Sequence, residues 1–134
     1  MKLPYWLSAA VLLLAACPIQ VAAQQTLTAP GPLGDLAGTL IAPGEGQPLV
    51  LIIPGSGPTD RDGNNALGVI AAPYRLLAEA LTARGIGTLR IDKRGMFASR
   101  AAVSDANAVT VADYVADTAS WVGAARSATG AECI

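Results

Sequence analysis

Histidine is absent from all 134 residues. A Ser-His-Asp or Cys-His apparatus therefore cannot be assembled from this chain alone, and neither can the usual histidine-based metal site. Aromatic residues are scarce, with a single Phe, so core volume must come from Leu, Ile, Val and Ala. Charged residues make up only 14% and the net charge is −1, which leaves no basic stripe for nucleic acid. There are two cysteines, Cys17 and Cys133. If the N-terminal segment is removed, Cys133 stands alone, and a lone cysteine makes no internal disulfide. It reads as a small buried apolar residue. Nothing in the composition calls for a cofactor or a metal.

Residues 1–23 read as an export signal. Lys2 gives the positive start, and Trp6 to Ala16 is an apolar run of roughly a dozen residues, too short to span a bilayer. Val21-Ala22-Ala23 is a small-residue cleavage site. Leu14-Ala15-Ala16-Cys17 has the form of a bacterial lipobox, the alternative in which Cys17 carries a lipid anchor. An uncleaved anchor is the third reading, and all three export the domain to the periplasm or the outside. Membrane contact is expected only through the signal or the lipid anchor.

The remaining residues, 24–134, fit one domain. Leu27 and Gly38 to Ile41 flank a Pro/Gly-rich turn and read as an antiparallel hairpin at a sheet edge. Leu49-Val50-Leu51-Ile52-Ile53 is apolar at every position, as expected of a central strand covered on both faces. Pro54 stops it, and Gly55-Ser56-Gly57-Pro58 leads into Asp60-Arg61-Asp62-Gly63. Strands of α/β sheets that empty into Gly-rich loops are where ligands bind. Pro73 opens a helix reaching Arg84, with Leu77, Ala80 and Leu81 on its buried face and Gly85 as the stop. Ile86 to Ile91 is the next strand, completing a βαβ crossover. Its end, Asp92-Lys93-Arg94-Gly95, should lie beside the first loop. Thr110 caps the longest helix, and Asp113 makes a variant capping box. Val111, Tyr114, Val115, Thr118, Val122 and Ala125 make the expected buried stripe, with Trp121 flanking it. Gly130 closes this helix, and Ala131 to Ile134 reads as the start of another strand.

The motifs bear on two other classes of site. Gly55-Ser56-Gly57-Pro58-Thr59-Asp60 fails the G-x-G-x-x-G pattern and no G-K-[ST] is present, which disfavours a nucleotide site. The other is a non-enzymatic exported protein that binds a partner through an exposed sheet edge.

The blocks Pro54-Gly55-Ser56-Gly57-Pro58-Thr59-Asp60-Arg61-Asp62-Gly63-Asn64 and Asp92-Lys93-Arg94-Gly95-Met96, following the hairpin, resemble the N-terminal part of exported bacterial α/β-hydrolases of the serine-esterase kind. The resemblance covers about Thr26 to Ile134. The later block also resembles the looser D-x-R-G-x-G-x-S loop at Asp92, Arg94, Gly95 and Ser99, with Phe97 standing where that pattern has glycine. The resemblance implies an incomplete α/β-hydrolase fold, with a hairpin, a βαβ crossover, a mostly parallel sheet and a long C-terminal helix. It implies that Gly55, Ser56 and Gly57 form the oxyanion-hole loop, with the Ser56 backbone N–H as donor, for hydrolysis of a small carboxylic ester. Gly-Ser-Gly lacks the G-x-S-x-G elbow, so the Ser56 hydroxyl is not read as the nucleophile. The elbow, the acid and the histidine would all follow Ile134, and the chain by itself is expected to be inert. Asp60, Arg61, Asp62, Asp92, Lys93 and Arg94 are read as ion pairs that pin the loops; direct grip on a substrate carboxylate by Arg61 or Arg94 is the alternative.

Overall fold

The computed structural model describes residues 23–134. Except for Ala23, the segment read as an export signal, and with it Cys17 of the alternative lipobox reading, lies outside the described residues. Strand β1 (Gln24–Ala29) pairs antiparallel with β2 (Leu36–Ile41), as the hairpin pattern predicts. Strand β3 (Leu49–Ile52), helix α1 (Pro73–Thr82) and strand β4 (Gly87–Ile91) form the βαβ unit, with β3 and β4 parallel. Helix α2 (Val111–Thr129) follows two 3₁₀ turns. The sheet order is β1-β2-β4-β3.

The result is a mixed four-stranded sheet with helices. It is not mostly parallel: β1–β2 and β2–β4 are antiparallel, and only β3–β4 is parallel. The hairpin supplies the difference, because its second strand inserts directly against β4. Strand β3 is also not central. Among the described strands it lies at the end of the sheet, with Val50 36% exposed. An all-apolar run records tolerance of burial on both faces, not the number of strand neighbours. Among the described residues the open side of β3 is met by the C-terminal segment, where the Leu49 N–H donates to the Cys133 carbonyl at 3.0 Å. The expected strand at Ala131 to Ile134 goes no further than this single bond.

Alternation along β4 sorts the two layers. Leu89 and Ile91 join Leu36, Leu40, Leu49, Trp121 and Ala125 in the core beneath α2. Thr88 and Arg90 point to the other face, where α1 lies, and Arg90 feels the charges of Arg75 and Glu79 there. Helix α2 approaches closely because Gly38 is flat: a Cβ there would come within 3.0 Å of Trp121 Cη2 and of the Arg90 carbonyl oxygen.

The helix ends follow the sequence signals. Pro73 occupies the first turn of α1. Thr110 and Asp113 form the reciprocal capping box of α2, and Gly130 ends it at φ 69°. The buried faces depart from expectation. In α2 the buried residues are Asp117, Trp121 and Ala125, whereas Val111 and Val115 are 79% and 65% exposed. Trp121 is the centre of the interface, not its flank. The helix is rotated because Asp117 must face inward to meet a buried Arg94 (below). In α1 the residue against the sheet is Ala78, while Leu77 and Ala80 are exposed and Leu81 is half-buried. A small residue at the contact lets α1 lie close on β4. Cys133 is exposed and free, not buried.

Candidate functional site

The loops after β3 and β4 leave the same edge of a parallel pair, so their residues meet there by topology. Gly55, Ser56, Gly57 and Pro58 are exposed at the rim, on a buried Pro54. Gly57 takes φ 77°, a left-handed turn that suits glycine. The next residues close their own tight turn. One Asp60 carboxylate oxygen accepts from the N–H groups of Asp62 and Asn64 at 2.9 and 2.8 Å. Asn64 in turn accepts from the Ala72 N–H at 2.9 Å, tying the turn to the start of α1.

Three cations fix this loop to the sheet. Arg61 grips Asp92 through Nε and a terminal nitrogen at 3.1 and 2.6 Å, and its own N–H donates to the second Asp92 oxygen at 3.0 Å. Arg90, buried in β4, pairs with Asp62 and donates to Gln24 Oε1 at 3.0 Å. Burial holds the Arg90 guanidinium below its ordinary value, with Asp62 opposing the shift. Its Nε has no partner among the described residues. Lys93 is 5% exposed, and its ammonium donates to two loop carbonyls, that of Gly55 and, at 2.8 Å, that of Gly57. Burial lowers its pKa.

Arg94 turns the other way. It donates to Asp117 through Nε at 3.0 Å and a terminal nitrogen at 2.5 Å, and to Asp113 at 2.8 Å. The hydrogen bond to Asp117 raises the Arg94 pKa. Hydrogen bonds from the Thr110 backbone and side chain hold Asp113 below its ordinary value. Arg94 thus fastens the β4 loop to α2, and neither it nor Arg61 has a guanidinium free to grip a substrate.

Five of the six charged candidates therefore converge on the Gly-rich loop or its base, and Arg94 serves the helix. Four further participants have no role assigned to them by the sequence motifs. Arg90 carries a signal, an arginine inside an apolar strand with two aspartates upstream. Asn64 and Asp117 carry none beyond residue type. Ser99, matched only as part of a looser pattern, is fully buried; it donates to the Asp92 carbonyl and accepts from the Ala37 N–H, both at 2.9 Å. Beside it, Phe97 adopts φ 45°, the left-handed conformation that a glycine at this position would take without strain.

A groove of about 250 Å³ runs from this edge along α2, lined by Ile53, Lys93, Val111, Tyr114, Val115 and Trp121, among others. A larger hollow, about 590 Å³, lies at the opposite end of β3, between the Pro43–Pro48 loop and the end of α2. Among the described residues no acceptor takes the N–H of Gly55, Ser56 or Gly57. The loop edge can therefore present backbone donors to a ligand. No family model matches the chain, and no curated protein matches it.

Proposed function

We propose that this chain is the oxyanion-hole portion of an exported serine hydrolase of the α/β kind, acting on carboxylic esters through an acyl-enzyme. One observation carries the reading: the Gly55-Ser56-Gly57 loop is held at the end of a parallel strand pair with its Ser56 N–H unclaimed. A fixed N–H aimed at a developing alkoxide stabilises it without reorganisation, worth roughly a hundredfold or more in rate. The base of a triad must come from outside these residues, since they hold no histidine. With no histidine to serve as base, this reading expects the 134 residues alone to be inert as a hydrolase. The experiment joins the chain to a continuation bearing the elbow, acid and histidine and measures ester turnover. Ser56→Pro removes the N–H and should lower kcat roughly a hundredfold with little change in KM. Unchanged turnover would end the oxyanion assignment.

The open edge of β3 favours a second reading. The alternation that turns Leu49 toward Cys133 leaves the backbone of Leu51 facing the same open side, and Ile53 is 46% exposed. Such an edge suits a non-enzymatic exported protein that adds a partner strand. A stable, monodisperse secreted product would support it, and insoluble material would count against it.

A further inference from the structure

Among the described residues, Lys93 is the one cation of the cluster that meets no carboxylate. Its neighbours Asp92 and Arg94, and Asp117 on α2, are all engaged in ion pairs with other partners. Its ammonium spends its hydrogen bonds on the carbonyls of Gly55 and Gly57. Both belong to trans peptides, in which C=O and N–H point in opposite directions. The Gly57 carbonyl shares its peptide with Pro58, which has no N–H. The Gly55 carbonyl shares its peptide with the Ser56 N–H. Of the two peptides clamped by Lys93, only one carries a donor, and that donor faces away from the charge.

We propose that Lys93 is a positioning residue for the loop: through the Gly55 carbonyl it aims the Ser56 N–H outward and strengthens it as a donor to an oxyanion. A chain of ammonium, carbonyl, amide and acceptor polarises link by link. Withdrawal of electron density at the carbonyl makes the amide hydrogen more acidic. Lys93 acts through the Gly55 carbonyl, and the amide hydrogens of Gly55 and Gly57 gain nothing comparable.

The inference rests on the oxyanion reading of the loop, yet its test needs no turnover. Base-catalysed amide exchange of Ser56, read by NMR on the full chain, reports the acidity of that N–H. In the wild type it should exceed the rate for an unstructured peptide of the same sequence. In Lys93→Met it should fall roughly tenfold, the size expected of a unit charge about 5 Å away and partly screened. Lys93→Arg, which keeps the charge, should retain most of the excess. A purely structural clamp predicts the opposite sign, because loosening the loop would leave exchange unchanged or faster; that result overturns the proposal. If Lys93→Met does not fold, the wild type decides. The Ser56 amide nitrogen shift should titrate with the Lys93 ammonium, below the ordinary lysine range, and a flat shift overturns the proposal. Such failure would remove Lys93 alone, and the hydrolase reading would still stand or fall on Ser56→Pro.

Discussion

Asp117→Ala is the sharpest test of how the β4 loop is fastened. Arg94 and Asp117 are each 8% exposed, and two of the guanidinium's hydrogen bonds end on that carboxylate. Removing it strands a buried cation. Breaking one partner of a buried pair costs about 3–5 kcal/mol. Asp113 remains beside Arg94 and is 35% exposed, so part of the charge stays compensated. Alanine also favours a helix interior over aspartate by about 0.5 kcal/mol. The net loss is therefore near the lower end, about 3 kcal/mol. With a urea slope of about 1.5 kcal/mol/M, the midpoint should drop by about 2 M. The double variant Arg94→Met with Asp117→Leu removes both charges and fills the space, and should return to within about 1 kcal/mol of wild type. Asp113→Ala should cost less than Asp117→Ala, because water already screens that pair. If Asp113→Ala proves the more damaging, or the double variant is no better than Asp117→Ala, the buried pair does not hold the loop.

Ser99→Ala should destabilise by about 1–3 kcal/mol in the same urea titration, since it strips the Ala37 N–H of its acceptor across the sheet edge. Asp113 has a folded pKa below its ordinary value of 3.8, so its contribution is complete above that value and is lost as the pH falls through the lower folded one. Acid titration of stability should therefore be flatter in Asp113→Asn than in wild type below about pH 4.

Local signals in the sequence were legible where backbone chemistry sets them. The hairpin around Pro30 to Gly34, Pro73 at a helix start, the Thr110–Asp113 box and Gly130 all mark element ends by hydrogen-bonding need or allowed φ, and each mark holds. The meeting of the two strand-end loops was legible too, because a βαβ unit places both at one sheet edge. Faces were less legible. Counting apolar residues chose Val111 and Val115 for the core of α2, but a buried guanidinium turned Asp117 inward instead. Pairing of buried charge is a long-range demand that periodicity does not record. Strand order failed for a similar reason, since apolarity at Leu49 to Ile53 says nothing of how many neighbours a strand has. Within the site, the charged cluster was visible as composition, and its wiring was not. Arg90 lies inside β4 and Lys93 two residues past its end, yet one binds a carboxylate and the other two carbonyls.

The central claim is that these residues form the oxyanion portion of a serine hydrolase. Reading the encoding DNA onward past the Ile134 codon, in all three frames, tests it most directly. The account predicts a continuation that gives G-x-S-x-G almost at once, then an acid, then a histidine. A stop with no such continuation in any frame would contradict it, and would leave the open edge of β3 and a partner strand as the reading to pursue.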